Sequence, residues 1–289
     1  MIKCAVLGKE FSTKEEMFKE LVDNKSKIIS LKTSVIKNSE GVDYKPELVS
    51  KIINNEVYAS KIEKEFGNFK SGSFYPVINT TNIMDSHKDV HFDGIWDKSI
   101  PEQKGKVFYA VNHKLEIGKI IAYPKDVEPF TLTVKWRDLG YDVDGETQAL
   151  IYKVNEDVLD DYANEDARKT IKAKLPAQNS IRMQYVKMEL GINSNSPDYK
   201  EEKIFYDKHI GKIANREEVA IDGYFFGVSE AKIYKEGSLV LFGSNSVTPV
   251  LHAKEPVKST LDKTDAELEA EKSLQEQNEL EEFYTNINL

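Results

Sequence analysis

Cysteine is almost missing from this chain: Cys4 is the only one in 289 residues, so no internal disulfide can form. A reducing, cytoplasm-like setting is expected. Cys4 lies in a short apolar run with Ala5, Val6 and Leu7, where a buried, inert thiol is a better reading than a nucleophile. Long apolar runs are missing too. The stretch from Ile117 to Tyr123 is broken by Gly118 and Lys119, whereas a membrane helix needs about 20 apolar residues. The N-terminal MIKCAVLGKEF has no apolar stretch long enough for a signal peptide, and no membrane partner is expected. No basic face stands out, which argues against nucleic acid as a partner. Neither GxGxxG nor GxxxxGK[ST] occurs, and the GxSxG elbow is also missing. The usual phosphate cradles and one family of serine hydrolases are thereby set aside.

What is present is enough apolar material for a real core. Hydrophobic residues make up 40% of a 33.0 kDa chain, which excludes both disorder and a small stapled scaffold. Mean hydropathy is −0.51. Charge is uneven: residues 255–289 hold ten acids against three lysines, a net of −7, leaving the other 254 residues at −2 of the total −9. Such an acidic tail is expected to be a solvated or partner-seeking helix, separable from the core.

Periodicity divides the chain into three expected parts. Residues 1–70 read as a helical N-terminal accessory segment. One helix is signalled by Ser12 and Thr13 ahead of Glu15 and Glu16, with Met17, Phe18, Leu21 and Val22 at helical spacing, and a second is expected from Pro46 to Asn54. Gly67 and Gly72 among small polar residues place a boundary near residue 70. Residues 71–254 read as strands with two helical inserts, followed by the tail at 255–289. Strands are expected at Phe74–Asn79, Val107–Asn112, Gly118–Tyr123, Thr147–Val154, Ile181–Ile192 and Tyr224–Phe242. Helices are expected at Asn155–Lys174 and Pro197–Val219, the latter turning Ile204, Phe205, Ile210 and Ile213 to the core. Short connections favour an α+β fold, an antiparallel or mixed sheet or barrel with helices outside.

Candidate chemistry is sparse. In DSHKDVHFD, residues Asp85, His87, Asp89, His91 and Asp93 alternate, a set able to hold a divalent ion along one strand face, although a solvated strand edge gives the same alternation. Nucleophilic catalysis needs a hydroxyl beside a base, and there are five histidines. His209 and His252 read as surface groups. His113 ends the strand FYAVN, where a barrel would deliver a side chain into a cleft. Ser180 opens the alternating strand SIRMQYVKMELGI, its backbone fixed and its hydroxyl free to face an opening, and an ordinary strand-start serine is the plainer reading. Joined, the two need hydrogen-bond reach and a third group to orient the imidazole.

Four segments, NTTNIMDSHKDVHFDGIWDKSI, VNHKLEIGKIIAYPKDV, NSIRMQYVKMELGINS and GVSEAKIYKEGSLVLFGSNSVTPVL, together resemble the prohead serine proteases of tailed bacteriophages and prophages, in that family's order across residues 75–252. The resemblance implies a compact β-barrel ringed by helices, like the herpesvirus assemblins, and a serine endopeptidase acting in the host cytoplasm inside the immature capsid. Scaffold protein and major capsid protein extensions would be its substrates, with self-cleavage of the arms open. The resemblance implies no metal and no cofactor, and leaves oligomeric state open, a homodimer included. Carried over by motif, His113 is the general base and Ser180 the nucleophile. The acid falls to Glu236, preferred over Glu230 because relatives show a glutamate two residues before a serine and four before a valine, as Glu236, Ser238 and Val240 do. Two departures stand out: Arg182 where relatives often carry glycine, and a long helical insert before the closing motif. DSHKDVHFD then becomes part of the entry region of the protease domain.

Overall fold

Two long strands organise the fold. Apolar residues recur along Gln178–Ile192 (β10) and Tyr224–Val240 (β11), which pair antiparallel over almost their full lengths. In the computed structural model the described residues are 1–38 and 72–252, and they belong to one compact unit. The helix expected at Pro46–Asn54, the boundary near residue 70 and the acidic tail lie outside the described residues.

Around β10 and β11 lies a six-stranded sheet. Its order is β3 (Lys37–Asn38), β10, β11, β6 (Phe108–Val111) and β7 (Ile120–Ala122), while β5 (Asp89–His91) pairs with the other end of β11. Both β5 and β6 run parallel to β11, at Phe226–Val228 and Glu236–Leu239 respectively, so one long strand edge serves two short strands. Register shifts along β10 and β11 bend this sheet, which curls as a half-barrel. A second, antiparallel sheet has the order β12 (Val250–His252), β4 (Ser73–Thr80), β9 (Glu146–Asn155) and β8 (Val127–Lys135). Strand periodicity sends Phe74, Ile78, Leu150, Tyr152 and Val154 into a core shared with Ile181, Met183, Phe226 and Val228. Their neighbours Tyr75, Val77, Ala149 and Ile151 face a second cluster with Phe130, Leu132 and Trp136. The fold is therefore mixed α+β. Its two sheets have separate strand orders and pack through side chains, with backbone links near their strand ends: the Asn82 N–H donates to the His91 carbonyl at 2.7 Å and the Asn179 N–H to the Thr248 carbonyl at 2.9 Å.

The start of the chain is built into this core. Residues Ile2–Cys4 (β1) and Lys9–Phe11 (β2) form a hairpin ahead of helix α1 (Lys14–Asp23). Thr13 caps α1, with Glu16 completing a capping box, and Met17, Phe18 and Leu21 are buried in the main cluster. Cys4 is buried beside them, its Sγ 3.4 Å from the Tyr224 hydroxyl. Helix α2 (Lys25–Ser34) leads to β3, which pairs with β10 at Arg182 and Met183.

Three expectations need correction. The helix expected over Asn155–Lys174 is two, Asp157–Asp161 and Glu165–Lys172, because Asn164 caps the second through the Ala167 amide. The insert expected over Pro197–Val219 is a 3-10 turn at Pro197–Tyr199 followed by helices Lys200–Ile210 and Arg216–Asp222. Within it Ile204 is exposed, while Glu202 and Tyr206 turn inward, Glu202 pairing with Lys25 at 2.5 Å. Strand β8 had no counterpart in the periodicity. It carries Pro129 and lies at a sheet edge, where a missing N–H is tolerated.

Candidate functional site

Strand β6 ends in a two-residue turn. Asn112 and His113 both have positive φ, 50° and 57°, and the Lys114 amide donates to the Val111 carbonyl at 3.1 Å, the signature of a type I′ turn. Asparagine adopts this conformation readily. A histidine there costs about 1 kcal/mol or more, so its surroundings must hold it. The His113 N–H donates to the Ser238 hydroxyl at 3.1 Å, and the Asn112 N–H to the Leu239 carbonyl at 3.0 Å.

Strands β10 and β11 supply the rest. Ser180 sits directly opposite Ser238, and Ala110 of β6 is opposite Ser238 on the other side. Glu236 lies two residues before Ser238, hence on the same face. Between Ile233 and Gly237, strand β11 bulges against Ile181–Met183, with Lys235 at φ 68°. This bulge re-aims Glu236. Gly237 allows close packing behind it, since a Cβ there would lie 2.9 Å from Ile78 and 3.0 Å from the Tyr152 ring. Ahead of Ser180, the buried Asn179 amide donates to the Thr248 and Pro249 carbonyls and its oxygen accepts from the Tyr109 hydroxyl at 2.6 Å, fixing the strand start.

These elements converge on a hydrogen-bonded chain. His113 Nδ1 lies 2.7 Å from Glu236 Oε1, and His113 Nε2 lies 2.9 Å from Ser180 Oγ. Ser238 donates to the other carboxylate oxygen, Oε2, at 2.6 Å. An ionised carboxylate only accepts, so Nδ1 carries the proton and Nε2 is left to accept from the serine hydroxyl. Glu236 is fully buried, while Ser180 and His113 keep 2% and 5% exposure. Arg182, two residues after Ser180, has its Nε 3.9 Å from Glu236 Oε1 and donates it to Asn38 Oδ1 at 2.9 Å. Such a chain can deprotonate a hydroxyl as it attacks a carbonyl and return the proton to a leaving group.

The structure therefore brings His113, Ser180 and Glu236 together. Glu230 is elsewhere, opposite Lys187 in the sheet and paired with Lys98 at 2.8 Å. Ser238 was visible in sequence only as a spacing marker for Glu236. No local signal reveals that its hydroxyl ties the turn backbone to the carboxylate, because that contact is made between β6 and β11.

The DSHKDVHFD residues are tied up with protein partners. Only Asp89–His91 is strand. The Asp85 carboxylate accepts the His87 and Asp89 amides at 2.8 and 2.9 Å, a local turn rather than a ligand pose. Asp93 takes the Thr81 hydroxyl at 2.5 Å and the Asn82 amide at 2.9 Å. Asp89 is buried and receives Lys32, Lys37 at 3.1 Å and the Tyr185 hydroxyl at 3.0 Å. Burial alone would raise its carboxyl, but the two lysines outweigh it and hold it below the ordinary range. His91 lies between Asn79 and the Tyr185 oxygen, and burial drives it down to about 4. Among the described residues no group of three or more His, Cys, Asp or Glu side chains is arranged to hold a metal ion.

His209 is half-buried rather than on the surface, its ring stacked on Phe92 at 4.1 Å. The side chain of His252 lies outside the described residues. A cleft of about 700 Å³ lined by Trp136, Tyr141 and Arg216 has none of the Ser180 cluster in its wall. No helix among the described residues is long and apolar enough to cross a membrane. No family model, curated protein or solved structure matches this chain.

Proposed function

We propose that this chain is a serine endopeptidase of the phage prohead type, which cleaves scaffold protein and major capsid protein extensions inside the immature capsid. The observation that carries the reading is the continuous Glu236–His113–Ser180 hydrogen-bond chain, assembled from two sheet strands and a strained turn. In it Ser180 Oγ attacks the scissile carbonyl while His113 Nε2 takes its proton. Glu236 holds the imidazole in the productive tautomer and stabilises the imidazolium that forms. The proton passes to the leaving amine, and water repeats the sequence on the acyl-enzyme to release Ser180. The four motifs that resemble the prohead proteases support the biological setting, and an assemblin-like barrel is part of that proposal.

A fluorophosphonate probe tests the chemistry: Ser180 should be labelled in the intact chain and not after His113→Ala. Mass spectrometry of the chain co-expressed with its neighbouring scaffold and capsid genes tests the substrates, and also reads out self-cleavage. An unlabelled Ser180 together with uncut scaffold would favour a structural assembly protein that keeps the fold without the activity.

A further inference from the structure

The first 38 residues reach the Ser180 centre. Their docking is polar as well as apolar: Lys32 and Lys37 both end on the buried Asp89, Lys25 on the buried Glu202, and the Gln184 amide donates to the Thr33 carbonyl at 3.1 Å. Lys37 is itself in β3 and Thr33 lies just ahead of it, so two of these contacts hold the strand where it pairs with β10 at Arg182 and Met183. At the end of β3, Asn38 accepts the Arg182 Nε–H, the same nitrogen that lies 3.9 Å from Glu236. Arg182 is thus a cation held beside the carboxylate from one side by a residue some 140 positions away in sequence.

We propose that Arg182, held by Asn38, is a positioning residue of the Ser180 centre, which makes residues 1–38 a working part of it. This rests on the endopeptidase reading above. The physical argument is electrostatic. A guanidinium beside the Glu236–His113 pair opposes protonation of the imidazole, which must be neutral to accept the serine proton. Among the described residues, Arg182 from β10, His113 from the turn and Tyr152 from β9 are charged or titratable groups set against the Glu236 carboxylate. Tyr152 stays neutral, because burial and then Glu236 itself push its hydroxyl well up. Arg182 is therefore a cation placed to bias His113 toward its working form.

The test is the rate of fluorophosphonate labelling of Ser180 in the full chain as a function of pH. In Arg182→Gln the acidic inflection should move up by about 0.5–1 pH unit, so that labelling on the acidic limb falls about 3- to 10-fold while the high-pH plateau holds. Arg182→Lys should recover much of the shift, and Asn38→Ala should move the inflection the same way by less. A merely structural role would lower the plateau and leave the inflection in place. If the wild-type chain is not labelled at Ser180, the endopeptidase reading fails. If it is labelled with an acidic inflection that Arg182→Gln leaves unmoved, that reading stands and this inference is overturned. Should Arg182→Gln fail to fold, Asn38→Ala decides, an unmoved inflection again counting against the inference.

Discussion

At the scale of single residues, His113 depends on groups that never touch a substrate. Its backbone sits in a conformation that a side chain disfavours, and Ser238 holds that backbone while also donating to Glu236. Ser180→Ala and His113→Ala should each abolish processing with the fold intact, and the double variant should be no worse, because the two act as one unit. Retention of most cleavage by either single variant would remove the assignment. Glu236→Gln should be milder than either, with activity lowered by about 10²-fold or more, and Glu230→Gln should be nearly silent, since Glu230 pairs with Lys98 at a partly exposed position outside the Ser180 cluster. Ser238→Ala leaves the chemistry of all three groups in place. It frees the turn backbone and one carboxylate oxygen, so turnover should drop several-fold with thermal stability lowered by about 1–2 kcal/mol, roughly the cost of unpaired buried polar groups. Steady-state kinetics beside thermal melts of this variant check both halves of the expectation.

At the scale of elements, the turn and the bulge place the side chains. Asn112→Gly should be tolerated, because glycine accepts positive φ, whereas Asn112→Val should cost both stability and activity through a turn it cannot adopt without strain. Comparing melts and labelling rates of the two variants decides whether the turn matters as a conformation rather than as an asparagine. Much at this scale was legible in the sequence. The core strands β4, β9, β10 and β11 show in the alternation, and His113 and Ser180 were picked out by their places at a strand end and a strand start. Glu236 needed the resemblance, because a glutamate within a strand gives no local sign of burial. What was hidden depends on contacts between distant segments. The Lys235 bulge, the Ser238 bridge and the Asn38–Arg182 contact each join residues from different strands or turns, and no periodicity encodes them. Ile204 misled for a related reason: its helix turns Glu202 and Tyr206 inward, where Lys25 neutralises the carboxylate.

At the scale of the whole molecule, a buried polar cluster joins the first helices to the sheet, and it should leave a signature in how stability responds to pH. Asp85, Asp89 and His91 titrate with opposing signs. Burial, reinforced by the Asp89 charge, raises the Asp85 carboxyl to about 6. Its folded form therefore binds a proton that its unfolded form has released, and its contribution to stability falls as pH rises from about 4 to 6. His91 behaves the other way. Burial holds it down to about 4, so between about 6.5 and 4 the unfolded chain takes up a proton that the folded one refuses, and stability is lost as pH falls. Asp89 is held low by Lys32 and Lys37, and its stabilisation is present above the ordinary carboxylate range and lost as pH falls through its depressed folded value. Across pH 4 to 6.5 the Asp85 and His91 contributions oppose each other, and single substitutions should expose them. Relative to wild type, Asp85→Asn should gain stability as pH rises through this window, and His91→Gln should lose it, each difference approaching about 3 kcal/mol at most. Urea unfolding at pH 4.5 and 6.5 measures both differences directly. Two variants whose stability tracks wild type in parallel across that window would mean that the cluster does not couple protonation to the docking of the first helices.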